Sequence, residues 1–300
     1  KEGYSFSVSS SRGCGYANCN FCYLPKYQKM SGQPKFRYKS PKLVLSEIKD
    51  LIEKYDIKKL SFCDDDFFGD AQGINRAIEL FRLLIKENIK IKLHVNTRVK
   101  TVIYLASKGL LDLCTKAGVA YMYVGLESYN DSALERYDKD ISASDIDYVI
   151  SELDKHNILI NPGLITFDPE LSIDEVKNNI DLFRKIKYYD AFMFTRRLVI
   201  YPHASHKIRE LPISDGYFVQ LLTKVLYDTM SKYRDEIFPK YVKMNRNSIT
   251  KEFVNNLIQQ HFDCFYAVYD ALKTGNNSDI VVERFIERAM KILSETAIKY

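Results

Sequence analysis

The sequence predicts an α/β protein: an incomplete (β/α)6, TIM-like barrel over residues 1–210 with a helical extension over 211–300. Three observations carry this. Short apolar runs alternate with amphipathic helical stretches through the first part, which is the pattern of a parallel sheet covered by helices. A cluster of three cysteines, Cys14, Cys19 and Cys22, directly follows the first of those runs. Beyond Asp215 no strand-like run occurs, and helical periodicity takes over. Periodicity alone does not separate an open barrel from a doubly wound sheet. The cysteine loop favours the barrel, because function in such barrels gathers on loops at the carboxyl ends of the strands.

The first strand is expected over Tyr4–Ser9, and Leu24–Lys39 reads as a loop rich in lysine, glycine and proline. Ser40-Pro41 opens a helix, serine as N-cap and proline at the first helical position. Its apolar stripe of Leu43, Val44, Ile48, Leu51 and Ile52 has helical spacing. Lys59–Cys63 is the second strand, ended by the acidic turn Asp64-Asp65-Asp66, and a helix follows from about Gly73 to Glu87. Ile91–Val95 leads to Asn96-Thr97-Arg98 and a helix from about Val102 to Lys116, with Gly118 at its end. Ala120–Val124 leads to Gly125-Leu126-Glu127-Ser128 and helices near 132–137 and 144–156. Leu159–Thr166 is the fifth strand; Ser172 and Glu175 form a capping box for the helix to Ile186. Ala191–Ile200 reads as a sixth strand, and three helices complete the chain at 216–234, 251–272 and 278–299.

Composition narrows the function classes. With 300 residues, 46% hydrophobic and 28% charged, the chain has the balance of an ordinary globular protein. No apolar run approaches the roughly 18 residues of a membrane span. The first residues, Lys1-Glu2-Gly3-Tyr4, form no signal peptide and lack an initiator methionine, as expected of a piece of a longer protein. The net charge of +5 is spread along helices and argues for neither a nucleic acid nor a membrane partner. Cys63, Cys114 and Cys264 are isolated and read as free core thiols, which suits a reducing cytoplasm.

Three thiolates on one tight loop suit a soft metal centre, zinc or iron–sulfur. Structural zinc sites close four ligands, usually with a second Cys-x-x-Cys or with histidines. Here Cys19-x-x-Cys22 has no second pair, and the five histidines are scattered. A 4Fe–4S cluster normally takes four cysteines, so three leave one iron open, which is a catalytic arrangement. A disulfide framework does not fit six cysteines so sparsely placed.

The loop Cys14, Cys19, Phe21, Cys22 resembles the Cys-x3-Cys-x-aromatic-Cys loop of the radical S-adenosylmethionine (radical SAM) enzymes, with one extra residue between Cys14 and Cys19. The resemblance spans about Tyr4 to Arg209. Within that superfamily it is to the catalytic part of cobalamin-binding proteins, many of them methyltransferases. Gly125-Leu126-Glu127-Ser128 resembles their Gly-x-Glu-Ser element, Phe167-Asp168-Pro169 their Phe-Asp-Pro, and Leu198–Pro202 their Leu-x-x-Tyr-Pro.

The resemblance implies a 4Fe–4S cluster on Cys14, Cys19 and Cys22 and S-adenosylmethionine (SAM) at its open iron. SAM would be held by Phe21 against adenine and by Asp64 or Asp65 on the amino group, with Asp65 favoured. Glu127, with Gly125 and Ser128, would take the ribose or amino group, and Arg98 or Arg196 the carboxylate. It also implies an external electron donor of the flavodoxin or ferredoxin kind, and radical hydrogen abstraction from a substrate the sequence does not name. No Asp-x-His-x-x-Gly cobalamin signature occurs, so cobalamin would come through a domain outside these residues. The alternatives are a cobalamin-independent radical SAM oxidoreductase or thiolation enzyme, and a zinc-bound scaffold without chemistry.

Overall fold

The structure, a computed structural model, describes residues 5–190, 192–198, 221–242 and 251–298. Two compact units divide them: residues up to Leu164 form the first, and Ile165–Leu198 with the helices from Leu221 form the second.

The first unit is built on a parallel sheet of five strands: β1 (Ser5–Val8), β4 (Lys59–Phe62), β5 (Lys92–Arg98), β6 (Val119–Glu127) and β7 (Leu159–Leu164), paired in that order. In β5, Leu93, Val95 and Thr97 are buried and alternate with less buried neighbours, the period-two pattern of a pleated strand. Pro162, which has no N–H for the ladder, sits in the edge strand β7, where the missing donor costs least.

The helices that cover this sheet start where the caps place them. The Ser40 side chain accepts the Leu43 N–H at the head of α2 (Pro41–Tyr55), which buries Val44, Leu45 and Ile48. Asp70 accepts the Gly73 N–H and starts α3 (Ala71–Lys86) earlier than periodicity suggests. The single helix expected over 102–116 is two, α4 (Val99–Ser107) and α5 (Leu111–Lys116). Gly109 adopts φ 62° between them, a left-handed turn that ends a helix. After α6 (Asp131–Arg136), α7 (Ala143–Lys155) starts with a capping box of Ser142 and Asp145.

Two elements depart from the sequence reading. The stretch 24–39, expected to be a loop, holds α1 (Leu24–Ser31) and β3 (Phe36–Tyr38), and β3 pairs antiparallel with β2 (Ser11–Gly13). Pro25 opens α1 and Gly32, at φ 62°, closes it, so the proline and glycine taken as loop markers are helix punctuation. Cys63 is exposed rather than in the core, whereas Cys114 and Cys264 are buried.

The second unit holds α8 (Ile173–Lys185), α9 (Leu221–Val242), α10 (Lys251–Thr274) and α11 (Ser278–Ile298). The expected capping box of Ser172 and Glu175 heads α8. The sixth strand over 191–200 does not form among the described residues: 192–195 are a turn, and Arg197 alone bridges to Phe167. Local bonds use the groups a strand would need, since Asp190 accepts the Phe192 N–H and the Met193 carbonyl accepts from Thr166. Tyr201-Pro202 and the start expected for α9 at 216–220 lie outside the described residues. No described helix is long and apolar enough to cross a membrane.

Candidate functional site

All the groups of interest in the first unit sit beyond the carboxyl ends of its parallel strands. The acidic turn after β4 divides its three carboxylates by burial. Asp64 is fully buried and accepts from the Ser10 N–H (2.7 Å), the Ser10 hydroxyl (2.5 Å) and the Ser11 N–H (3.0 Å). Arg76, also buried, donates to the Ser10 hydroxyl and to the Phe67 carbonyl and lies over the Phe67 ring. Asp64 is therefore committed to joining the turn to the start of β2. Asp64→Ala is expected to cost about 3–5 kcal/mol, because it strands Arg76 and two backbone donors; urea unfolding checks this, and a loss under about 1 kcal/mol would refute that role.

Asp65 points the other way. It is exposed, with one oxygen accepting the Gly13 N–H at 2.9 Å. Asp66 is buried and accepts from Arg98 Nε at 2.7 Å, with its other oxygen buried and unpartnered. The Arg98 fork also donates to the Gly69 carbonyl at 2.7 Å, so the last residue of β5 holds the turn after β4 at two points.

The cysteine loop is clamped from two sides. The Cys14 N–H donates to the Lys35 carbonyl, and the Cys14 thiol lies 3.9 Å from Asp66. On the far side, Asn20 donates to the Tyr137 and Arg136 carbonyls and the Tyr16 hydroxyl to the Asp138 carbonyl. Phe21 meets Tyr137 edge-on at 5.5 Å, so this ring is at least partly packing. A Cβ at Gly15 would lie 2.3 Å from the Gly69 carbonyl oxygen; only glycine lets the cysteine loop and the acidic turn touch backbone to backbone.

The fourth component comes from the end of β6. Glu127 sits at φ 64°, where the β6–β7 register shifts. A side chain held in that left-handed region stores strain that its surroundings must offset. What holds it is Lys139, whose ammonium lies 2.8 Å from Glu127 Oε1, with side chains 8% and 15% exposed respectively. A Cβ at Gly125 would come within 2.7 Å of that carboxylate. Ser128 is buried and accepts from Asn130.

These charges act on the thiols. Burial pushes the Cys19 thiol up to about 11, with Lys139 pulling it down and Glu127 adding to the rise. Burial raises Cys14 and Cys22 as well. Burial works against the charge on Lys139, but Glu127 and the neighbouring thiols outweigh it and hold its pKa above the ordinary value. Sequence reasoning missed Lys139 and the role of Asp66. Neither carries a spacing signal, and each matters only through what the fold brings to it. Arg196 lies in the second unit and pairs with Asp190 there.

A loop of three cysteines beyond a parallel sheet, with charged groups from successive strand ends around it, is the arrangement of the superfamily that the sequence resembles. The family model described as "Radical SAM superfamily" matches residues 8–183, and the chain belongs to that superfamily. The fold matches the cobalamin-dependent S-adenosylmethionine radical enzyme OxsB, in a structure with aqua-cobalamin and S-adenosylmethionine bound. The TM-score is 0.74 at 16% identity, over 97% of this chain and 53% of that one. Among curated proteins the chain is 24% identical over 240 residues to 4'-phospho-dehydrooxetanocin synthase of Priestia megaterium, covering 75% of this chain and 29% of that protein. It is 26% identical over 198 residues to an anaerobic magnesium-protoporphyrin IX monomethyl ester cyclase of Synechocystis sp., covering 65% of this chain and 36% of that protein. The chain thus spans about a third of the length of these two relatives.

The residues fit a 4Fe–4S cluster with one open iron. The loop offers three thiols and no carboxylate or imidazole of its own, and the Lys139 cation offsets thiolate charge. Among the described residues no three His, Cys, Asp or Glu side chains close on a single metal ion. A cluster does not ask for that, since each cysteine binds a different iron.

Proposed function

We propose that this chain is the catalytic part of a cobalamin-dependent radical SAM enzyme, with the cluster on Cys14, Cys19 and Cys22. The observation that carries the reading is the cysteine loop held against the acidic turn at Asp66 and Gly69 on one side and to the backbone of residues 136–138 on the other, with the charges of Glu127 and Lys139 acting on Cys19. Bound there, the cluster and SAM supply a carbon radical that abstracts a hydrogen from the substrate.

The chain's own residues then bind and orient. Asp65, exposed with one oxygen uncommitted to Gly13, suits the amino group of the SAM cation. Arg98 spends its Nε and one Nη on Asp66 and Gly69, and Lys139, with one of its donors on Glu127, is a second cation for the methionyl carboxylate. Glu127, held by Lys139, can accept from ribose hydroxyls through its second oxygen. Cobalamin would be carried by sequence outside these residues, a reading supported by the fold match to cobalamin-dependent OxsB, of which this chain covers 53%. An electron donor of the flavodoxin or ferredoxin kind and a reducing cytoplasmic setting complete the proposal.

The test is anaerobic: reconstitute the longest native form, add reductant, SAM and cobalamin, and identify nucleosides by mass spectrometry. 5′-Deoxyadenosine together with S-adenosylhomocysteine is expected. 5′-Deoxyadenosine alone would replace methyl transfer with another radical reaction. Neither product, with about one zinc in place of about four irons per chain, would replace the enzyme with a zinc scaffold.

A further inference from the structure

The second unit contains a cavity of about 230 Å³ that has no part in the site described above. Tyr189, Phe238, Tyr241 and Leu257 give it aromatic and aliphatic walls, and Arg234 and His261 line it as well. Two of its polar groups are fixed in direction.

His261 Nδ1 lies 2.6 Å from the Leu257 carbonyl, so that nitrogen carries the hydrogen and donates it. The other nitrogen, Nε2, is then a lone-pair acceptor. Burial keeps the ring neutral, its pKa lowered to about 4. Three rings hold the imidazole in this orientation: Tyr233 and Tyr189 edge-on at 5.0 and 5.5 Å, and Phe194 stacked at 6.1 Å. Nε2 makes no hydrogen bond among the described residues, and His261 lines the cavity. An acceptor on the wall of a mostly apolar cavity is matched by a donor on the occupant.

Arg234 is also held. Its Nη1 donates to the Thr195 hydroxyl at 2.8 Å, and its Nε and Nη2 both reach Asp235, at 2.8 and 2.7 Å, which leaves one N–H on each Nη for an occupant; the Asp235 side chain is 66% exposed, so solvent screens that pair. Among the described residues the carboxylate on the cavity wall is Asp190, and its charge is offset by Arg196 while it also accepts from the Phe192 N–H. Pro239 lies in the α9 wall and removes the N–H that would bond the Asp235 carbonyl, interrupting the helical ladder beside the cavity. A cavity of about 150 Å³ accommodates benzene, so this one has room for a single ring with one or two small substituents.

We infer that this cavity is a binding site for a single-ring aromatic acid bearing a hydroxyl or N–H donor. The donor meets His261 Nε2, the ring packs against Tyr189, Phe238 and Tyr241, and the carboxylate faces Arg234. This goes beyond the radical chemistry and does not depend on it, since the described lining residues all belong to the second unit.

The test is calorimetric titration of the full, cluster-loaded chain with 4-hydroxybenzoate and, separately, benzoate. Saturable one-to-one binding of 4-hydroxybenzoate is expected, with benzoate at least about tenfold weaker because it leaves Nε2 unpaired. In His261→Phe, which keeps a ring among its aromatic neighbours, that preference is expected to fall below about twofold. Val254→Phe, which fills the cavity from α10, is expected to abolish binding of both probes. If circular dichroism shows that His261→Phe does not fold, Val254→Phe and the probe comparison on the unaltered chain decide. Absent binding of 4-hydroxybenzoate, equal affinity for the two probes, a preference that survives His261→Phe, or full binding by Val254→Phe would each overturn the assignment.

Discussion

Cys19→Ala is expected to remove bound iron and to lower 5′-deoxyadenosine formation by a factor on the order of 10³ or more, while leaving the fold intact. The argument separates ligation from packing. Cys19 is only half-buried in a loop whose hold on its neighbours comes from other residues: Tyr16, Asn20 and the Cys14 backbone. Truncating it should cost stability within about 1 kcal/mol, so lost activity would not be lost folding. Two remaining thiols cannot hold a cluster that already has one position open. Cys63→Ala is the matched control. That cysteine is exposed and donates only to the Val8 carbonyl, so iron content and product should match the unaltered chain. Iron content by metal analysis and product by mass spectrometry give the reading. Product retained in Cys19→Ala, or lost equally in Cys63→Ala, would remove the assignment of the cluster to this loop.

The cysteines were legible in the sequence because their chemistry is local: three soft donors in one loop mean much the same wherever the loop sits. Alternation of strand and helix was legible for the same reason, since a buried face repeats at short range. What failed was everything decided at a distance. Nothing in Asp64-Asp65-Asp66 says which carboxylate is buried; that depends on Ser10 and Arg76, brought from either side of the turn. Asp64, read as a cofactor contact, has its carboxylate turned onto Ser10 and Ser11, whereas Asp66, to which no separate role was given, meets Arg98 and approaches Cys14. The hairpin of β2 and β3 was hidden because its strands are three residues each, too short to show a period. Over the described part of the sixth apolar run, the backbone is used in a turn and one bridge rather than a strand.

Lys139 is the clearest case of a residue that only the fold reveals, and its replacement carries the second large effect. Lys139→Met is expected to destabilise the chain by about 3–5 kcal/mol, because it leaves the Glu127 carboxylate nearly buried with no counter-charge. The backbone makes this worse. Glu127 is held at φ 64°, and the ammonium at 2.8 Å is the contact that fixes its side chain there. The double variant Lys139→Met with Glu127→Gln removes both charges and should recover most of that loss, to within about 1–2 kcal/mol of the unaltered chain. The sign of the pH dependence follows from the raised Lys139 pKa. The pair's contribution is fully present below the ordinary lysine value of 10.5 and is lost only as pH rises through the higher folded value. Urea unfolding should therefore show the same deficit in Lys139→Met at every pH from about 6 to 9. SAM affinity, read against Glu127→Gln alone, separates the binding role from the structural one. If Lys139 engages the methionyl carboxylate, the double variant should regain stability yet bind SAM at least about tenfold more weakly than Glu127→Gln does. Full SAM affinity in the stable double variant would confine Lys139 to holding Glu127. An unfolding midpoint unchanged by Lys139→Met alone would show that this ion pair does not support the end of β6.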